Sequence, residues 1–327
     1  MSTTSIAESA TPPTLPTSLG LGLDAGGTQT RWALARPAGA IIAEGHVDGI
    51  SALQLSSDAG RASINSVLAA RATAVLAAGR PRQVAAGISG FADESERERL
   101  AALIASALAI ASDAVQISSD IDIAYRDAFA PGAGYLVYAG TGSIAAFIDS
   151  SNQFHRVGGH GGILDDSGSG VWIALAALRH IWRTEDECPG SWRESAMARD
   201  IFARIGGSDW AASSAFLYGG SFENNRGRIG QLALAVAASA DTDPAARRIL
   251  LAAGAELARL ANTLVKRFGM RPIILSGRAA ALHPLIAESM RAALPDSSKF
   301  SVRVSDAHHA AARIAVGIAA NIAAGKV

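Results

Sequence analysis

One pattern occurs twice in this chain and limits the folds open to it. Near the start, "LGLGLDA", "TRWALA" and "AIIAEGHVD" are short apolar stretches separated by "GGTQ" and "RPAG", as expected of strands joined by tight turns in an antiparallel meander. About 115 residues later the alternation returns as "GYLVYA", the turn "GTGS", "IAAFID", the turn "SSNQ" and "FHRVGG". An internal repeat of this size predicts two similar α/β domains built around one cleft. A length of 327 residues agrees, since one compact core rarely takes that many.

Between and after the meanders the sequence is mostly helical. Alanine-rich sequence leads to "VAAGISG", a buried strand, and then to a helix near "DESERERLAALIASALA", with Asp93 and Glu94 favourable at its N-terminus. Later strands, "RPIILSG" and "KFSVRVSD", feed further helices. Residues 1–18, rich in Ser, Thr and Pro and poor in large apolar groups, read as a disordered leader. The first domain is expected over 19–117 and the second over 118–305.

Charge and cysteine content remove several function classes. Lys plus Arg and Asp plus Glu both total 29, so no net field gathers nucleic acid or an anionic membrane, and neither is an expected partner. The single cysteine, Cys188, makes no intrachain disulfide and holds no cluster or cysteine-rich zinc site, which suits a reducing, cytoplasmic setting. No run reaches the roughly 18 apolar residues of a membrane span. Any bound anion must therefore be held by local groups.

The two glycine turns supply such groups. Successive backbone N–H groups of a glycine turn converge on an anion, with a Thr or Ser hydroxyl beside them. "DAGGTQT" and "AGTGS" could thus grip a polyphosphate from opposite sides. Asp24, at a strand end, would face that anion, which requires a divalent cation between them. "GLGLDA" matches a dinucleotide G-x-G-x-x-A pattern, but its glycines lie within the strand and no helix start follows. A G-x-x-x-x-G-K-[ST] phosphate loop is absent.

"DAGGTQT" is similar to the first phosphate motif (D-G-G-G-T-x-T) of the sugar kinase, Hsp70 and actin superfamily, and "AGTGS" to its second. The run "VYAGTGSIAAF" followed by "RVGGHGGILDDSGSGVWIA" most resembles the N-acetylglucosamine kinases of the BadF/BadG/BcrA/BcrD ATPase family, and "IILSGRAA" resembles the adenosine motif. The match runs from Leu19 to about Ala320. It implies an α/β fold of two ribonuclease-H-like (actin-like ATPase) domains, the first completed by a C-terminal helix over 306–327. It also implies ATP and Mg2+ in the cleft, a small sugar as substrate, and leaves a homodimer open.

By the same resemblance, Asp120 in "SSDIDIAYRDAF" is the catalytic carboxylate that takes the proton from the attacking hydroxyl. Read alone, an Asp at that strand-to-helix junction is more often a helix cap than a base. Asp24 would hold the metal. Gly26, Gly27, Thr28 and Thr30 would line the first phosphate turn, Gly140, Thr141 and Gly142 the second, and Gly277 the adenosine turn. Ser89, Ser143, His160 and Asp166, with Asp120, would face the sugar.

Departures from the family pattern fall on the sugar side. Where G-D-E-G-S-G is usual, this chain has "DDSGSG", with Asp165 for Gly and Ser167 for Glu. His160 stands where Trp is usual, Ile144 where the animal enzymes have an amide-contacting Asn, and only one glycine ends the adenosine strand. The acetamido group is therefore not assured as a recognition feature. Two other readings share the fold: an activator ATPase, which needs cluster cysteines that Cys188 does not provide, and a nucleotide-binding regulator without transfer chemistry. His308 and His309 are adjacent and so should diverge on a helix, which argues against a two-histidine metal site.

Overall fold

The computed structural model describes residues 18–25, 29–49, 58–90 and 93–323. The expected leader, apart from Ser18, and the candidate residues Gly26, Gly27 and Thr28 lie outside the described residues.

Two mixed sheets form the frame. The first contains β1 (Leu19–Ala25), β2 (Gln29–Ala35), β3 (Ile41–Asp48), β4 (Pro81–Ile88) and β5 (Val115–Ser118), in the order β3-β2-β1-β4-β5. The second contains β6 (Tyr135–Ala139), β7 (Ser143–Ile148), β8 (Phe154–Gly158), β9 (Ile273–Ser276) and β10 (Phe300–Val302), in the order β10-β9-β6-β7-β8. Each begins as an antiparallel meander, and each extends its first strand on the other side with parallel strands. The repeated sequence pattern is thus a repeated topology.

Helices cover the sheets for a legible reason: the central strands are apolar on both faces. On the first sheet, Ile64, Leu68 and Val75 of α1 (Asp58–Ala78) and Leu100, Ile104 and Leu108 of α2 (Glu94–Leu108) bury Leu21, Leu23, Leu34 and Val84. Asp93 caps α2 by accepting the Glu96 amide at 3.0 Å. The opposite face receives α11 (Ala307–Ala323), whose Ala312 and Val316 pack on Ala33 and Ala35. A Cβ on Gly22 would stand 2.1 Å from Ala312 N and 2.2 Å from His308 O. The glycines that mimic a dinucleotide fingerprint therefore admit a helix against bare strand backbone.

The second sheet carries the larger core. It packs against α4 (Gly170–Glu187) and α9 (Pro244–Phe268), with α5 (Ala196–Ile205), α6 (Trp210–Tyr218), α7 (Phe222–Gln231), α8 (Ala233–Ser239) and α10 (Pro284–Ala292) outside. Between the sheets runs α3 (Asp120–Ala128). Its Ile123 packs with α11, while Ala124 and Tyr125 enter the second core. The Tyr125 hydroxyl lies 3.0 Å from Gly134 O and 3.2 Å from Ile148 O, sharing its proton with sheet two. Among the described residues, no helix is long and apolar enough to cross a membrane.

Candidate functional site

Strand register sets the first half of the site. Asp24, near the end of β1, lies opposite Arg31 on β2 and Gly87 on β4. The Arg31 guanidinium donates to the Asp24 carboxylate at 2.7 Å and to the Ser305 carbonyl at 3.3 Å. Both side chains stay partly exposed, 32% for Arg31 and 19% for Asp24, so the pair lines an opening and not a core. On the other side, a Cβ at Gly87 would stand 3.1 Å from Asp120 Cα and 2.9 Å from Ile123 Cγ1. Only a bare backbone lets α3 begin there.

The start of α3 is capped by Ser119, whose hydroxyl accepts the Asp122 amide at 3.1 Å. Capping is thus done by the residue before Asp120, whose own carboxylate accepts the Ile121 amide at 3.0 Å. Asp120 keeps some exposure, yet atoms of both lobes surround it. Burial first, and the Asp24 charge second, raise its pKa to about 6 against the opposing pull of backbone amides. Two carboxylates stand here, of which Asp24 is paired with Arg31. That donor set suits a divalent cation taking one or two carboxylate oxygens, with phosphate and water completing its shell.

Tyr138, on β6 of the other lobe, faces the same carboxylates. Burial, then the charges of Asp24 and Asp120, push its phenol up to about 12, with Arg31 and Arg278 acting the other way. At neutral pH it is a proton-bearing hydroxyl within electrostatic reach of both carboxylates. The glycine turn that follows is braced from below: the Gly140 amide donates to Gly142 O at 2.8 Å, and Gly140 O accepts the Gly170 amide, at the start of α4, at 2.9 Å. Val171 N donates to Thr141 O at 3.4 Å. The second turn therefore sits on the N-terminus of α4.

Gly277 closes beside it. Its φ is +103°, and a Cβ there would fall 2.3 Å from Ala139 O, so no other residue fits. The amide of Ala279 donates to that same Ala139 carbonyl at 2.9 Å. The two glycine turns of this lobe thus share an anchor at the end of β6.

The remaining candidates range from buried to exposed. Asp166, in the left-handed region at φ +58°, is 3% exposed and pairs with Arg226 on α7 at 2.6 Å. Burial raises its pKa and Arg226 opposes the rise. Both groups abut the second turn, for a Cβ on Gly142 would lie 2.8 Å from Asp166 Oδ2 and 3.0 Å from Arg226 Nη2. Ser143 is buried and donates its hydroxyl to Ser167 O at 2.8 Å. Thr30 is buried on β2 opposite Ala25, and the Ser89 amide donates to Ala25 O at 3.3 Å. His160 stands exposed in the loop between β8 and α4.

A sequence model of the BadF/BadG/BcrA/BcrD ATPase family matches residues 21–317. The chain belongs to that family. Among solved structures, it is 18% identical to a provisionally named N-acetylglucosamine kinase from Porphyromonas gingivalis, covering 93% of this chain and 98% of that one with a TM-score of 0.67. A similarly named protein from Chromobacterium violaceum gives 20% identity, 92% and 99% coverage, and a TM-score of 0.64. A glucokinase of the ROK family from Streptomyces griseus, solved with glucose and AMPPNP, gives 16%, 92%, 99% and 0.56. At these identities the likeness is one of fold, that of two-domain actin-like ATPases. No curated protein matches the chain.

Within this BadF-type ATPase, four cleft residues escaped the sequence reading: Arg31, Tyr138, Arg226 and Arg278. Arg31 had a signal, because a short glycine-containing link between two expected strands limits their register, and in the structure it lies opposite Asp24. Tyr138 lies two residues before the glycine turn and reads as one more apolar strand position. Arg226 and Arg278 depend on tertiary placement, which no local pattern carries.

Proposed function

We propose that this protein is an ATP-dependent sugar kinase that transfers the γ-phosphoryl group to a hydroxyl of an amino sugar, N-acetylglucosamine or glucosamine, or of a related hexose. The observation that carries the reading is that Asp24, Asp120 and Tyr138, from both lobes, lie within electrostatic reach of one another, with Tyr138 two residues before the Gly140–Gly142 turn. Phosphoryl transfer asks for positioning and charge neutralisation and for one group to receive the acceptor's proton.

Asp120 fills that last role. With a pKa near 6 it is mostly ionised at neutral pH, yet more basic than an ordinary carboxylate, which favours proton abstraction. The amides of Thr141 and Gly142 would hold phosphate oxygens from one lobe, on a turn that Gly140 braces, and Gly26, Gly27, Thr28 and Thr30 would do so from the other. Asp24 would hold Mg2+, which supplies the neutralisation that two polyphosphate-facing carboxylates cannot. Arg31 holds the Asp24 carboxylate in place through their 2.7 Å contact. Tyr138 donates a hydrogen bond into the same space. Gly277 lets the chain pass close to the nucleotide.

Asp166 and Ser89 face the sugar, with His160 over it. Ser143 acts on that side indirectly, holding the Ser167 carbonyl. The exchange of Glu for Ser167 and of Gly for Asp165 alters this wall, so the sugar's identity is set here. A coupled ADP-release assay over a panel of hexoses and amino sugars tests the reading: sugar-dependent turnover supports it. Nucleotide binding with no turnover for any sugar supports a regulator that has kept the fold.

A further inference from the structure

Outside the cleft, Glu44, His308 and His309 form a cluster that the proposed transfer reaction does not use. His308 and His309 were expected to diverge, but they do not. Both lie in the first turn of α11, where successive side chains are about 100° apart and not opposed. Their rings lie side by side, tilted by 43° at a centroid separation of 4.2 Å. Both turn their Nε2 atoms toward one carboxylate oxygen of Glu44: His308 at 3.5 Å, and His309 in a short hydrogen bond. One potential ligand atom from each residue lies within 4.8 Å of the others.

Placement makes the cluster more than a surface contact. Glu44 projects from edge strand β3 opposite Ala33, on which α11 packs, so the three residues join strand to helix. His308 is 7% exposed, and its Nδ1 is buried without a hydrogen-bond partner. The unpaired atom is Nδ1, so it is the other ring nitrogen, Nε2, that faces Glu44 and is available to a ligand. The nearby Arg31 guanidinium is balanced by Asp24 at 2.7 Å, which limits its repulsion of a second cation here.

We propose that Glu44, His308 and His309 bind a divalent transition-metal ion, best fitted by Zn2+, at a site separate from the nucleotide cleft. Two imidazoles and one carboxylate are a donor set that zinc accepts, leaving one position for solvent. Tetrahedral ligands at about 2.0–2.1 Å from zinc lie roughly 3.4 Å apart, close to the 3.5 Å between His308 Nε2 and Glu44. The Glu44–His309 hydrogen bond opens to admit the ion, releasing its shared proton. Bound there, the ion ties α11 to β3. The His308 carbonyl already packs on Gly22, two residues before Asp24, so the brace backs the strand that carries the cleft carboxylate. This site does not depend on the kinase reading.

The test uses full-length protein without a histidine tag, stripped with EDTA and dialysed. Zn2+ binding is followed by calorimetry and Co2+ binding by its visible absorption. Expected are uptake of about one equivalent per chain, a rise in melting temperature with Zn2+, and no displacement by excess Mg2+. The variants Glu44→Gln and His309→Gln, both at accessible side chains, should each weaken binding at least about tenfold, since even outer partners of metal ligands are worth that much. They should also abolish the Zn2+-dependent melting shift. No uptake by the wild-type protein, or equal affinity in folded variants, overturns the proposal.

Discussion

Asp120 starts its helix against the strand position paired with Asp24. Gly87 is the cross-strand partner of Asp24, and its missing side chain is what allows the Asp120 Cα to come within 3.1 Å of where a Cβ would stand. The two carboxylates feel each other, and the Asp24 charge is the second cause, after burial, of the raised Asp120 pKa. A pair of like charges is kept close where a cation and a polyphosphate would separate them.

The pH profile follows from that pair. Asp120 acts as base only when ionised, so sugar-dependent kcat/KM should fall as pH drops through about 6. In the free protein, carboxyl carbon NMR should show Asp120 titrating near that value, and Asp24→Asn should move it down by removing the like charge. An Asp120 titration near 4 in the wild-type protein would contradict this.

Stability should change in the opposite sense from a salt-bridged acid. The folded pKa of Asp120 lies above the 3.8 of the unperturbed group, so the folded state holds the extra proton and stability falls as pH rises from about 4 to about 6. Asp120→Asn should therefore melt higher than wild type above pH 6. The difference should shrink below pH 4. Melting curves at both ends of this range check it.

Much of this was legible in the chain. The two meanders and their shared order follow from repeated apolar stretches and their turns, because period and turn chemistry are local properties, whereas the packing of the C-terminal helix on the first sheet was implied by the family resemblance. Asp24 was likewise found from local pattern, at a strand end beside a glycine turn, whereas Asp120 came from the family resemblance, since by itself it reads as a helix cap. Arg226 was not found, because its meaning depends on meeting Asp166 from a helix 60 residues away. Adjacent His308 and His309 misled because spacing on α11 says nothing of Glu44 on a distant strand.

The Arg226–Asp166 pair should behave as a coupled unit. Asp166 is 3% exposed, and leaving a buried carboxylate unpaired costs roughly 3–5 kcal/mol, with the lower end expected since Arg226 is 22% exposed. Arg226→Met should therefore destabilise more than Arg226→Met combined with Asp166→Asn. Urea unfolding of the double-mutant cycle measures the coupling. Additive losses would mean that the two side chains act separately.

Gly277→Ala should be costly out of proportion to one methyl group. A φ of +103° and a Cβ 2.3 Å from Ala139 O force backbone movement at the end of β6, worth on the order of 1–3 kcal/mol or more. Weaker binding of an ATP analogue should accompany it, because the neighbouring Gly140 turn shares that anchor. Calorimetry with the non-hydrolysable nucleotide checks this second effect.

The most direct measurement follows the label of γ-32P-ATP into sugar phosphate, comparing the wild-type protein with Asp120→Asn at equal nucleotide and sugar occupancy. Wild type should pass the label to a hexose or amino sugar, and the variant should bind both ligands yet transfer about a hundred- to ten-thousandfold more slowly. Undiminished transfer by Asp120→Asn, or label released only as inorganic phosphate by the wild-type protein with every sugar, would contradict the account.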